Sequence, residues 1–345
     1  MGAWLHLRVA RSPSCGAVGL STVIHRAPRR ARLTAAALLL ACAIALASDG
    51  ISAGNPTYRA HRPFSVGEMV VRLTDHSRRV RFPGQPPQAR SLVTVIRYPA
   101  VGNASHVDVS GAAPAQSSGP FPLIVFGHGF NVTPAIYARL LQSWASAGYV
   151  VAAPIFPLGN GNAPGGADES DIVNQPADVS FVITRMLAAS AAAHGTLGRL
   201  IDPREIAVSG QSDGGVTALA TAYDSRYVDR RVDAAVIMSG AEVLGGRYFR
   251  GPNPPLLASQ GTSDMINLPQ NTYDFFAVAR APKFLLRLLR APHLGPYTDE
   301  QPQLGVVSRT TVAFLDRYLK HLPGARGRLW QDGDVPGVAT LTAGP

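Results

Sequence analysis

Apolar positions along the chain fall into two periods, and the two alternate. Leu123-Ile124-Val125-Phe126 is an unbroken apolar run of the kind shown by a parallel strand covered on both faces. Similar short runs predict strands at 149–153, 206–208, 234–238, 256–259 and 284–289. Between them the spacing becomes helical. Ile136, Leu140, Leu141 and Trp144 predict a helix closing at Gly148, and Val179, Val182, Ile183 and Leu187 predict another. Further helices are expected at 214–223 and near 269–279. A last amphipathic helix carries Val307, Val312, Phe314, Leu315 and Leu319. Ahead of all these, 69–74 and 92–98 alternate around a Pro/Gly/Arg turn at 78–90, which reads as a leading hairpin. Residues 99–120 and 157–176 show no period and read as loops. Strands alternating with helices imply an α/β fold, a doubly wound and mostly parallel sheet with helices on both faces. The pattern shows no internal repeat and no linker, so residues 67–345 are expected to form one domain behind an N-terminal arm at 48–66.

The first 47 residues do not share this pattern. Arg26, Arg29, Arg30 and Arg32 precede an apolar run from Leu33 to Ala47, broken only by Thr34 and ending in Ala45-Leu46-Ala47 before Ser48-Asp49-Gly50. That is the order of a secretory signal peptide, so residues 1–47 predict export to a secreted, periplasmic or envelope location. The run is shorter than the roughly 20 residues that span a bilayer, so an uncleaved anchor is the lesser reading and the one route to membrane association. Arg29-Arg30 lacks the following residues of a twin-arginine signal, and Cys42 lies inside the apolar run rather than at its end. The long stretch before the run also suits a translation start near Val23.

Composition changes the picture only once the leader is set aside. The 345 residues carry 32 basic and 22 acidic side chains, a net charge of +10, and 46% are hydrophobic, which excludes a mainly disordered chain. Loss of 1–47 removes six arginines and no acid, leaving +4, and removes both cysteines, Cys15 and Cys42. No basic patch interleaved with aromatics remains, so nucleic acid is not an expected partner. Of the cations only Lys283 and Lys320 are lysines, a bias attributed to coding composition.

Gly210-Gln211-Ser212-Asp213-Gly214-Gly215 stands between a predicted strand and a predicted helix. In that context G-x-S-x-G is a nucleophile elbow: the tight turn exposes the serine hydroxyl, and the glycines let neighbouring backbone approach. A nucleophilic serine needs a base, and the base needs an orienting acid. Asp264 follows the 256–259 strand, and His293 follows the 284–289 strand, so both stand at strand carboxyl ends, where such sheets place their ligands. Glu242 is a competing acid; His321 competes as the base but sits at the end of the last helix, where a cation suits the helix dipole. Gly127-His128-Gly129-Phe130 follows the 123–126 strand, and the N–H groups of Phe130 and Asp213 make a candidate oxyanion hole, with His128 in a structural role. The Asp213 side chain at a helix start is explained by capping.

The chain resembles the α/β-hydrolase superfamily, in its dienelactone hydrolase-like, chlorophyllase-like and platelet-activating-factor acetylhydrolase-like esterase branch. The resemblance lies in the stretches 122–130 and 147–154, the Ser212 elbow, Gly261-Thr262-Ser263-Asp264 and His293-Leu294. It implies a triad of Ser212, Asp264 and His293, an oxyanion hole at Phe130 and Asp213, and no cofactor or metal. Dienelactone hydrolase proper has a cysteine nucleophile, where Ser212 stands here. Secreted polyester hydrolases of this layout carry a tryptophan after the strand that follows the elbow, and Ser239-Gly240-Ala241-Glu242 has none. The 17 residues between Met238 and Leu256 are too few for a helical lid. An open pocket is therefore expected, walled by 157–166 and by Phe130 and Tyr297 as substrate-binding residues.

These features predict an exported serine hydrolase cleaving a small-molecule or lipid-like carboxylic ester through an acyl-enzyme. The alternatives are a polyester depolymerase, a peptidase or amidase on the same fold, and a catalytically silent binding protein.

Overall fold

Among the described residues ten strands join in one sheet, and the order in which they pair decides where chemistry can occur. The computed structural model describes residues 62–345; the expected signal peptide and most of the arm lie outside the described residues. In chain order the elements are β1 (Ser65–Val80), β2 (Gln88–Ala100), β3 (Val109–Ser110), β4 (Phe121–Gly127), α1 (Ala138–Ser146), β5 (Val150–Ile155), α2 (Gln175–Ala191), β6 (Ile201–Gln211) and α3 (Asp213–Tyr223). There follow β7 (Ala234–Met238), β8 (Leu256–Gly261), α4 (Pro269–Val278), β9 (Lys283–Leu288), α5 (Gly295–Thr298), α6 (Gln303–Tyr318), α7 (Ala325–Gly333) and β10 (Ala339–Gly344).

The sheet order is β10-β9-β8-β7-β6-β4-β5-β2-β1-β3. From β5 to β9 neighbouring strands are parallel, while the β1–β2 hairpin joins β5 antiparallel and β10 closes the other edge antiparallel to β9. This is the α/β-hydrolase fold. β4 lies between β5 and β6, so the chain leaves its carboxyl end in one direction and returns on the other side. That reversal opens a crevice at the carboxyl ends of β4 and β6.

Each central strand feeds two cores by its period of two. Leu123 and Val125 of β4 face α2, α3 and α4, where Val179, Val182, Leu219 and Phe275 are buried. Ile124 and Phe126 face α1 and α6, against Leu140, Trp144, Val307 and Phe314. Burial on both faces explains why these strands read as unbroken apolar runs.

The differences from expectation have physical causes. Ile136 does not join the apolar face of α1; it lies in a 3₁₀ turn (Pro134–Tyr137) and is 39% exposed. The helix carrying Phe314 is not the last element, because α7 and β10 follow. The buried positions of α7, Ala325, Leu329 and Gly333, do follow helical spacing, but only Leu329 is a large apolar residue, so the sequence shows no apolar stripe there. The loop at 157–176 contains a 3₁₀ segment (Glu169–Asn174), and α2 already begins at Gln175. His321 reaches Glu205, with Nε2 3.4 Å from Oε1, rather than capping α6.

Candidate active site

The elbow forms because glycines remove side chains where three backbones meet. A Cβ on Gly210 would collide with the Gly214 carbonyl, and one on Gly214 with the Gly127 carbonyl. With hydrogens there instead, α3 starts directly beneath the end of β4, and Gly127 pairs with Gly210 across the sheet. Ser212, between β6 and α3, is forced to φ 58°, a left-handed value that a serine adopts only when its surroundings impose it. Its N–H donates to the Met238 carbonyl (3.0 Å) and its carbonyl accepts from Val216 N–H (2.9 Å), so the turn is held at both ends.

The structure brings Ser212, His293 and Asp264 together. His293 Nε2 lies 2.9 Å from Ser212 Oγ, and its Nδ1 lies 2.7 Å from Asp264 Oδ2. Asp264 is 1% exposed, and its other oxygen, Oδ1, accepts from the N–H groups of Ile266 (3.0 Å) and Asn267 (2.9 Å). Gln260 Nε2 adds a donor to Oδ2 at 3.1 Å. Burial opposes the Asp264 charge, but the hydrogen bond and charge of His293, with the two backbone donors, outweigh it and hold the carboxyl below its ordinary value. Glu242 is not part of this chain. Burial and the charges of Asp224 and Asp274 push its carboxyl up, and the His293 Nδ1 it would have to meet faces Asp264.

His128 has no vacancy for chemistry. Its Nδ1 meets the Gly129 carbonyl at 2.7 Å, and its Nε2 accepts from Phe156 N–H at 3.0 Å. Burial holds its pKa down at about 4, so the ring is a neutral brace for the turn. Phe130, 37% exposed, stands beyond that turn. The next residues are stitched to the 157–166 wall, where Asn131 N–H donates to the Gly159 carbonyl (2.8 Å) and Val132 bridges Asn160. Asp213 is the first residue of α3, so its N–H has no intrahelical acceptor.

Tyr297 corrects the expected pocket wall. It is 0% exposed, in the core beneath α6, with its hydroxyl at 3.2 Å from Ser239 Oγ and 3.4 Å from Ser259 Oγ. A ring so enclosed cannot touch substrate; α5 turns it inward, a direction that spacing does not reveal.

The Asp213 side chain stands in the first turn of α3 but supplies no capping hydrogen bond there. Its Oδ2 is buried without a hydrogen-bond partner. Burial, then the charge of Glu169, raise its pKa to about 6 against the partial relief of His293. With the folded value above the unfolded one, the stability attached to this group is complete in acid and is lost as pH rises through about 6. Asp213→Asn is therefore expected to melt higher than wild type at about pH 7.5 and level with it at about pH 4. Matching melting curves at both pH values would contradict this.

Size alone does not mark the site. A cavity of about 1260 Å³ bordered by Phe64, Arg139, Leu304 and Arg328 takes none of the triad residues. Among the described residues no cluster of His, Cys, Asp and Glu could hold a metal ion.

Strand order, elbow and crevice define the class: the protein is an α/β-hydrolase. Residues 107–271 match the model of the chlorophyllase family. That match makes the chain similar to the chlorophyllase-like branch of these esterases and supports a carboxylic-ester hydrolase of the α/β-hydrolase kind. No curated protein matches it.

Proposed function

We propose that the protein is an exported serine esterase acting through Ser212, His293 and Asp264. The observation that carries the reading is the hydrogen-bond chain from Ser212 Oγ through the two ring nitrogens of His293 to Asp264 Oδ2. His293 takes the hydroxyl proton as Ser212 Oγ attacks the ester carbonyl, and Asp264 orients the ring and balances the imidazolium that forms. The N–H groups of Phe130 and Asp213 stabilise the oxyanion. Collapse of the tetrahedral intermediate breaks the C–O bond, with His293 returning its proton to the departing alcohol. Water, deprotonated by His293, then attacks the acyl-enzyme, and as the bond to Ser212 Oγ breaks His293 returns that proton to Oγ, releasing the acid.

A fluorophosphonate probe tests the reading. It is expected to label the protein once per chain, at the peptide containing Ser212, and to abolish hydrolysis of p-nitrophenyl acetate. Labelling elsewhere, or full activity after complete labelling, would refute it. A panel of p-nitrophenyl esters of increasing acyl length, with chlorophyll added because of the matched family's name, then defines the substrate.

The export part of the proposal rests on the leader: the arginines at 26–32, the apolar run and Ala45-Leu46-Ala47. Among the described residues no helix is long and apolar enough to cross a membrane. Amino-terminal sequencing of protein from the culture medium or envelope is expected to begin at Ser48.

A further inference from the structure

Gln211, the residue before Ser212, ends β6 with its carboxamide buried; the residue is 1% exposed. Its Nε2 lies 3.0 Å from the His293 carbonyl, and a carbonyl only accepts, so the amide nitrogen must face it. The amide oxygen then faces Tyr137, whose hydroxyl donates to Oε1 at 2.7 Å. Having given its proton to Gln211, that hydroxyl is left to accept, and Gly129 N–H points to it at 3.3 Å. Every donor and acceptor along this path thus has one assignment. The same Gln211 nitrogen lies 3.3 Å from His293 Nε2, the ring atom that faces Ser212.

We infer that Gln211 is a positioning residue, which through Tyr137 ties the oxyanion turn after β4 to the loop that carries His293. The inference rests on the triad reading above. The reacting groups come from three segments far apart in sequence: the turn at 127–130, the elbow, and the loop after β9. No backbone ladder joins the first to the last, because β4 and β9 are separated in the sheet by β6, β7 and β8. The Gln211 carboxamide bridges them. Tyr137 is itself immobilised, fully buried with its ring edge-on to Phe126 at a centroid distance of 5.0 Å. The space around the path is closed. A Cβ on Gly129 would stand 3.1 Å from Gln211 Oε1, 3.2 Å from the Tyr137 hydroxyl and 3.3 Å from Ser212 Cβ. A carboxamide this deeply buried must have both ends paired whatever its role, so what matters is where they lead. Here both ends lead to elements that hold the transition state.

The test uses the full chain with Gln211→Leu, Tyr137→Phe and the double variant. Gln211→Leu keeps about the same volume and is expected to lower kcat about 10- to 100-fold with KM nearly unchanged, because misplacing a reacting group by a fraction of an ångström costs rate rather than binding. Tyr137→Phe is expected to lower kcat by less, again with KM held. The double variant should be about as slow as Gln211→Leu alone, since both break one path. A Gln211→Leu kcat within about twofold of wild type, effects that multiply in the double variant, or a loss explained entirely by the unfolded fraction would each overturn the inference. Should Gln211→Leu not fold, Tyr137→Phe decides alone: a lowered kcat at constant KM supports the positioning role, and an unchanged kcat refutes it. Fluorophosphonate labelling of wild type in the same series separates the two readings. Failure to label at Ser212 would sink the triad, whereas normal labelling with a fully active Gln211→Leu would sink only the positioning role.

Discussion

Ser212→Ala is expected to lose ester hydrolysis by about 10⁴- to 10⁶-fold while folding as the wild type does. Without Oγ no acyl-enzyme can form, and His293 is left to activate water at a distance set for a serine. The residual rate would come from the oxyanion donors and from binding, which the substitution leaves in place. Stability should hardly change, because Oγ contributes one contact, to His293, and alanine meets the same backbone strain at φ 58°. Asp264→Asn in parallel should cost about 10⁴-fold, since an amide can turn its NH₂ toward His293 Nδ1 and select the wrong tautomer. The measurement is kcat/KM on p-nitrophenyl acetate with circular dichroism as the folding control. A Ser212→Ala protein hydrolysing at the wild-type rate would remove the proposed mechanism.

The second large effect lies away from the chemistry. Arg90 in β2 is 1% exposed and spreads its guanidinium over two carboxylates. Its Nε and Nη2 donate to Asp178 of α2 at 2.7 and 2.6 Å, and its Nη1 and Nη2 to Asp171 at 2.9 and 2.7 Å. Arg78 adds an ion pair to Asp178 at 2.8 Å. Burial pushes the Asp178 carboxyl up, with Arg90 pulling against it. Removing the guanidinium leaves two carboxylates in a dry site with one cation between them. Arg90→Met is therefore expected to destabilise the fold by about 3–5 kcal/mol, read as a lower urea midpoint and a melting temperature down by roughly 10 °C. Adding Asp171→Asn and Asp178→Asn should recover much of that loss, because the cost arises from unpaired charge rather than from lost attraction. A single Arg90→Met variant as stable as wild type would show that the network is neutral. Asp171 shares its 3₁₀ segment with Glu169, whose charge acts on Asp213, the residue after Ser212.

The strands β4 to β9 and the helices between them were legible because burial on both faces writes itself into consecutive residues. Ser212 was legible for a related reason: an elbow needs glycines two positions away on either side, a local requirement. Asp264 and His293 could be named as candidates from their place after strands, but Glu242 stood after a strand as well. What separates them is the ladder. β8 and β9 are adjacent and parallel, so the loops after them emerge side by side, with Asp264 Oδ2 2.7 Å from His293 Nδ1. Nothing within either segment encodes that neighbourhood. Tyr297 shows the reverse failure: an aromatic four residues beyond the base looked like a pocket wall, and the turn of α5 drove it into the core. Gln211 gave no signal either, because its partners Tyr137 and His293 lie 74 and 82 residues away.

Period and turn chemistry are relations among near neighbours in the chain, so they settled the main elements, their alternation and the elbow. Pairing of carboxylate with imidazole, the brace formed by His128, the burial of Tyr297 and the clamp at Arg90 are relations among distant segments. They exist only once the sheet order sets which loops meet at the crevice, and directional hydrogen bonds in a dry interior then select one partner for each group.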